Sequence, residues 1–236
     1  MNDPRPSPDR KNPVDRSLGS EDWTTQVDPT TDDFNRLILL EAGKRGRNGD
    51  PVSVLQIDCD NTTLGFQLAR NGAQVLSVSA RAEADQRMLD AIKANGLDQR
   101  LRLLSWCPQQ GRDTTPLPGT PFDIVVCPNA LSYLPYGQAH NLLRRLALMT
   151  RIGGKLFISA YGIHSDLCEA YPDENQPVRQ RFSPLAPELA RKYGIDQPVC
   201  LYSERDLFLL LFEAGLSVVK TFSTTHGNVK AVAVRM

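Results

Sequence analysis

Val218-Val219-Lys220-Thr221-Phe222 and Val229-Lys230-Ala231-Val232-Ala233-Val234 read as two strands, with only about six residues between them. Both stretches are β-branched and apolar. A parallel return to the same sheet needs a crossover of a dozen residues or more, so the second strand must run antiparallel to the first.

Working outward from this pair, strands and helices alternate. Val52 to Ile57, Gln74 to Ser79, Leu101 to Trp106, Phe122 to Cys127 and Lys155 to Ala160 have strand character. Leu64 to Asn71, Ala82 to Asn95, His140 to Thr150 and Ser203 to Ala214 have helical spacing, with Gly72, Gly96 and Gly215 as stops. Gly153-Gly154 reads as the turn into the fifth strand. Alternation of this kind predicts an α/β fold: a doubly wound, mostly parallel seven-stranded sheet, Rossmann-like, ending in an antiparallel hairpin. A helix is expected to begin at the capping cluster Thr31-Asp32-Asp33. Residues 1–30 hold five of the seventeen prolines and few large apolar side chains, and they read as a disordered tail ahead of a domain at 31–236. Residues 161–202 contain five prolines, several tyrosines and no repeat. A long insertion at the ligand edge of a sheet predicts a lid or substrate-binding segment. Its basic residues Arg179, Arg181, Arg191 and Lys192 are diluted by Asp173, Glu174 and Glu188 and read as a solvated face.

Composition narrows the function. Twenty-seven basic and 27 acidic residues give zero net charge among 236 residues, which argues against nucleic acid as a partner. The longest apolar run, Leu207 to Phe212, is far too short to span a bilayer, and Met1 to Arg5 is polar with no apolar segment behind it. A cytoplasmic protein without membrane contact is expected. The five cysteines form no CxxC pair, so no metal site is expected. Cys59, Cys107 and Cys127 all fall just past strands at one sheet edge, where a thiol cluster is conceivable, but core packing is the simpler reading.

From Thr31 to Met236 the chain resembles the class I S-adenosylmethionine (SAM)-dependent methyltransferases. The hairpin ending is that family's topology. Phe122-Asp123-Ile124-Val125-Val126-Cys127-Pro128-Asn129-Ala130-Leu131-Ser132-Tyr133-Leu134 is similar to its fourth strand and following loop. Leu142 to Leu146 with Arg151 to Leu156, and Ser203 to Leu216, resemble later elements in the same order.

The resemblance implies SAM as cofactor and a small-molecule acceptor. By position it implies cofactor contacts from Asp58, Asp60, Thr62, Ser79, Trp106 and Asn129, and substrate contacts from Tyr133, Tyr161 and His164. The cofactor motifs depart from the family pattern. Its first strand is followed by a Gly-rich loop, whereas Asp58, Asp60 and Thr62 stand at the three glycine positions here, and Gln56 replaces the opening acid. Ser79 stands where the family has a ribose-binding carboxylate. Added Cβ atoms and a lost charge-assisted hydrogen bond weaken such a site. Asp60, Asn61 and Thr62 are also good helix caps, able to satisfy the amides that would meet a ligand. SAM binding is therefore expected to be weak or lost. The alternative to a turning-over enzyme is a pseudoenzyme that binds a protein partner or another ligand. A nicotinamide-dependent oxidoreductase is disfavoured, because the first strand–helix turn lacks G-x-G-x-x-G.

Overall fold

The computed structural model describes residues 29–46, 49–57, 63–79, 86–105 and 121–236. Helix α1 (Pro29–Arg45) leads into strand β1 (Ser53–Ile57), helix α2 (Thr63–Arg70), β2 (Gln74–Ser79), α3 (Gln86–Ala94), β3 (Leu101–Ser105) and β4 (Phe122–Cys127). Then come α4 (Tyr136–Met149), β5 (Thr150–Ala160), α5 (Pro187–Tyr193), α6 (Glu204–Glu213), β6 (Ser217–Ser223) and β7 (Val229–Val234).

The strands form one seven-stranded sheet in the order β3-β2-β1-β4-β5-β7-β6. The first five pair in parallel, and β7 is antiparallel to both β5 and β6. The doubly wound sheet with a terminal antiparallel hairpin expected from the sequence is thus the observed fold. Each face has its own apolar core. Phe34, Ile38, Leu64 and Leu68 of α1 and α2 meet Val54, Ile124 and Phe157 on one side. Leu142, Leu143, Leu146, Leu207, Leu210 and Leu211 of α4 and α6 meet Leu55, Val125 and Ile158 on the other.

Two local expectations are corrected. Gly153 and Gly154 do not form a turn before the fifth strand; they lie inside an eleven-residue β5. Gly153 has φ +74°, and the β4–β5 register jumps between Phe122↔Thr150 and Ile124↔Lys155. The glycines accommodate a bulge, because a Cβ on Gly154 would stand 2.6 Å from Thr150 Cγ2. Helix α4 starts at Tyr136, directly after Pro135, rather than at His140. The Tyr136 hydroxyl donates to Glu213 of α6 at 2.8 Å, which anchors that first turn. Burial, then the Glu213 carboxylate, push this phenol up to about 12, so it remains a donor at neutral pH.

The 161–202 segment folds around a third apolar cluster that includes Leu167, Tyr171, Leu185, Leu189, Val199 and Leu201. Arg181 is part of the interior, 8% exposed, not of a solvated face. Its guanidinium donates to the carbonyls of Leu201 (2.6 Å) and Gln176 (2.8 Å) and meets Asp206 at 3.2 Å. Asp206 belongs to the capping box of α6, where Ser203 Oγ accepts from the Asp206 amide and Asp206 accepts from the Ser203 amide. Arg179 lies 4.7 Å from the Tyr136 ring centroid and bonds Glu213 at 2.7 Å. Two arginines therefore fasten the segment to α4 and α6. Among the described residues, no helix is long and apolar enough to cross a membrane.

Replacing the buried Arg181 with Ala strips bonds from the buried Leu201 carbonyl, the Gln176 carbonyl and the half-buried Asp206 carboxylate, and is expected to cost about 3 kcal/mol in urea unfolding. Arg179→Ala, which breaks a more exposed pair, should cost clearly less.

At the opposite edge of the sheet, Ser53 donates twice to Asp123, and Arg151 meets the same carboxylate at 2.9 Å. Lys155 and Arg45 pair with Glu41 at 2.7 and 2.9 Å. Burial raises both carboxyls, but these partners outweigh it, and both end below their ordinary values. A folded value below the unfolded one, about 3.9 for Asp and about 4.3 for Glu, means stability that is complete above that range and lost as pH falls through the folded value. Melting temperature should thus fall as pH drops below about 4. Asp123→Asn should lower it at neutral pH and flatten the acid limb; an unchanged acid limb would contradict this assignment.

Candidate functional site

The strand order reverses between β1 and β4. Open α/β sheets bind ligands at such a switch point. After Cys127 and Pro128 the chain turns at Asn129, in the left-handed region at φ 52°. Asparagine tolerates this conformation better than most residues. The Asn129 amide donates to the Ser159 carbonyl at 2.9 Å, and the Ser159 hydroxyl donates to Asn129 Oδ1 at 3.1 Å. The β4 exit is thereby tied to the end of β5.

A short 3-10 turn, Ala130–Tyr133, follows. Ser132 is fully buried and joins three segments: its hydroxyl accepts from the Tyr161 amide at 2.8 Å, and its carbonyl accepts from the Cys200 amide at 2.7 Å. The Tyr133 and Tyr161 hydroxyls lie 2.7 Å apart, and their rings meet edge to face with centroids 5.7 Å apart. Both rings are half-buried against the 161–202 cluster. The Tyr161 carbonyl accepts from the Tyr202 amide at 2.8 Å.

The β6–β7 turn closes over the same edge. A Cβ on Gly162 would overlap the Gly227 carbonyl, and a Cβ on Gly227 would overlap the His164 carbonyl. Gly227 also has φ +76°. Two backbones meet here at a distance that only glycine permits. His164 is exposed just beyond this contact.

Of the residues singled out from the sequence, Asn129, Tyr133 and Tyr161 are brought together through Ser159 and Ser132, and His164 lies three residues further on. Ser79 ends β2, its backbone paired with Ser105 of β3. Asp58, Asp60, Thr62 and Trp106 lie outside the described residues, as do Cys59 and Cys107. Cys127 is buried in the core. Cys200 is buried too, and its burial pushes the thiol up to about 12, so it is not poised as a nucleophile. Gln56 is buried one residue before the end of β1, where α2 approaches so closely that a Cβ on Gly65 would stand 2.9 Å from Gln56 Oε1. Ser132 and Ser159 were not foreseen. Their signal was faint: a hydroxyl residue in each of two otherwise apolar stretches, Ala130-Leu131-Ser132 and Phe157-Ile158-Ser159-Ala160.

No protein-family model matches the chain, and no curated protein matches its sequence. Solved structures are similar in fold. The Burkholderia thailandensis 1,6-didemethyltoxoflavin-N1-methyltransferase, bound to 1,6-didemethyltoxoflavin and S-adenosylhomocysteine, superposes with TM-score 0.61 at 15% identity, over 91% of this chain and 81% of that one. The Synechocystis PCC 6803 magnesium protoporphyrin IX methyltransferase, with bound S-adenosylhomocysteine, gives 0.60 at 16% identity over 92% and 89%. An N-methyltransferase from Bradyrhizobium japonicum WM9, also with S-adenosylhomocysteine, gives 0.57 at 14% over 92% and 93%. The chain therefore has the Rossmann-like fold of the class I methyltransferases.

The glycine contact generates a test of the site's construction. Gly227→Ala combines overlap with a disfavoured φ and is expected to cost about 3 kcal/mol or more, with a chemical-shift change at His164. Gly137, in α4 with open space around it, is the control: Gly137→Ala should stabilise by about 1 kcal/mol.

Proposed function

We propose that the chain is a class I SAM-dependent methyltransferase acting on a small molecule. The observation that carries this reading is the strand order with its reversal between β1 and β4, and it is supported by Asn129, Tyr133 and Tyr161 following the carboxyl ends of β4 and β5. The close packing of α2 on β1 at Gly65 supports a cofactor there, since it sets the α2 N-terminus near the carboxyl end of β1. SAM, when bound, supplies an electrophilic methyl group on a sulfonium centre.

The residues that would hold it are Asp58, Asp60, Thr62, Ser79, Trp106 and Asn129. Tyr133, Tyr161 and His164 would line the acceptor side. The coupled tyrosines hold a ring edge and two hydroxyls in fixed positions, which orients a flat or polar acceptor. The 161–202 segment, fastened by Arg179 and Arg181, walls that side and keeps water from it. Transfer to a good nucleophile depends mainly on proximity and alignment, so the chemistry asks for no acid–base dyad. A reduced-thiol, cytoplasmic setting fits these roles.

One observation favours a second reading, a pseudoenzyme that binds a partner or another ligand at the same switch point: Asp58, Asp60, Thr62 and Ser79 all replace residues that grip the cofactor in the family it resembles.

Calorimetric titration with SAM and S-adenosylhomocysteine separates the two. The wild type should bind in the high micromolar range or weaker, each tenfold loss of affinity corresponding to about 1.4 kcal/mol. A folded Asp58→Gly, Asp60→Gly, Thr62→Gly, Ser79→Asp variant should bind more tightly. No gain in a folded variant would favour the pseudoenzyme, and tight wild-type binding would overturn the account of the loop.

A further inference from the structure

The corner of the sheet where β5 begins and β7 ends carries an apolar tip that the candidate site does not use. Among the described residues the most exposed large apolar side chains are Leu148 (71%), Ile152 (79%) and Met236 (81%). All three belong to this corner. The Arg235 guanidinium donates to the Leu148 and Thr150 carbonyls at 2.9 and 2.6 Å. The Arg235 carbonyl accepts from the Gly153 amide at 2.7 Å, and its amide donates to the Gly154 carbonyl at 3.1 Å. The end of α4, the start of β5 and the end of β7 are therefore one joined unit, and Met236 is the residue after Arg235.

The shape of the corner comes from β5. Between the pairs Phe122↔Thr150 and Ile124↔Lys155, the residues from Arg151 to Gly154 stand opposite Asp123 alone. Surplus length of this kind bows out of a sheet. Arg151, Ile152 and Gly153 are all exposed, so Ile152 is carried on a projection and not in a groove. Leu148 lies on the outward side of α4, whose inward side is Leu142, Leu143, Leu146 and Ala147. Arg144, one turn before Leu148, is exposed on that same outward side.

Charge at the corner is one-sided, although the chain's net charge is zero. Arg45 reaches in from α1 and donates to the Gly153 carbonyl at 2.7 Å. The acids bonded here are already matched: Glu41 by Arg45 and Lys155, and Asp123 by Arg151. Asp50, in the neighbouring cleft, shares it with Arg100. Arg144 and Arg235 have no carboxylate partner among the described residues.

We infer that this corner rests on an anionic phospholipid surface, with Ile152 and Leu148 entering the boundary between headgroups and acyl chains and the surrounding arginines meeting lipid phosphates. A chain with no membrane-spanning helix holds to such a surface by exposed apolar side chains together with cationic ones. The expectation of no membrane contact rested on the lack of a span, which this mode of contact does not need. A second copy of the chain is the weaker occupant, because a self-complementary contact would set Arg144 and Arg151 near their own equivalents. A projecting tip also offers no groove for a peptide. The candidate site lies at the carboxyl edge of the sheet, away from this contact.

Flotation of the full chain with vesicles is the test. Recovery should be several-fold higher on equimolar phosphatidylserine and phosphatidylcholine than on phosphatidylcholine alone, and should fall as salt is raised. Leu148→Asp with Ile152→Asp, both on the surface, should abolish flotation while far-UV circular dichroism and melting temperature stay unchanged. Arg144→Glu, which breaks no ion pair, should lower it several-fold. Ile152→Trp should float as the wild type does, and on the mixed vesicles its emission should shift to the blue by more than the wild type's. The inference is overturned if the folded Asp variant floats like the wild type, if recovery is equal on both kinds of vesicle, or if nothing floats. Retention on immobilised polyglutamate without flotation would assign the corner to an acidic protein and overturn it. A dimer in sedimentation that the Asp substitutions dissociate, again without flotation, would assign the corner to a second copy and overturn it equally.

Discussion

The turn between Phe222 and Val229 is too short for a crossover helix, and much of the molecule follows from that constraint. The chain has to fold straight back, and β7 takes the antiparallel slot between β5 and β6. The turn itself then sits at the carboxyl end of β5, on the same edge as the switch point between β1 and β4. Gly162 and Gly227 allow the two backbones to touch there. A hairpin that reads in the sequence as a topological signature is, in three dimensions, one wall of the candidate site.

The other walls are built by buried polar links rather than by packing alone. Ser159 holds the turn at Asn129, and Ser132 holds both the Tyr161 strand exit and the Cys200 end of the insertion. Each bond lies in an apolar setting, where an unmet donor or acceptor is expensive. Arg181 does the same at larger scale, satisfying two carbonyls and the capping carboxylate of α6. The tyrosine pair is therefore set by three segments far apart in the chain.

The parts legible in the sequence were those with a short-range cause. Strands β2 and β4 begin and end where alternation and flanking glycines or prolines place them. The order of elements followed from their lengths. What was hidden depended on long-range partners. Gly153 and Gly154 look like a turn until the β4 register shows them bulging inside β5. Arg181 looks like one member of a diluted basic face until Leu201, Gln176 and Asp206 converge on it. The start of α4 was read four residues late because Pro135 and Gly137 look like breakers, while the Tyr136–Glu213 bond that anchors the first turn lies far along the chain.

The central claim is that the carboxyl edge of β1, β2 and β4 is where a nucleoside cofactor is held. Hydrogen exchange measured by mass spectrometry, with and without saturating S-adenosylhomocysteine, tests it most directly. Protection should appear in the peptides covering residues 58–63, 79–86 and 127–133, and be absent around Gly43, Gly72 and Arg100, which line a cleft of about 420 Å³ at the opposite edge. Protection confined to that opposite cleft, or no protection at all at saturating ligand, would contradict the account.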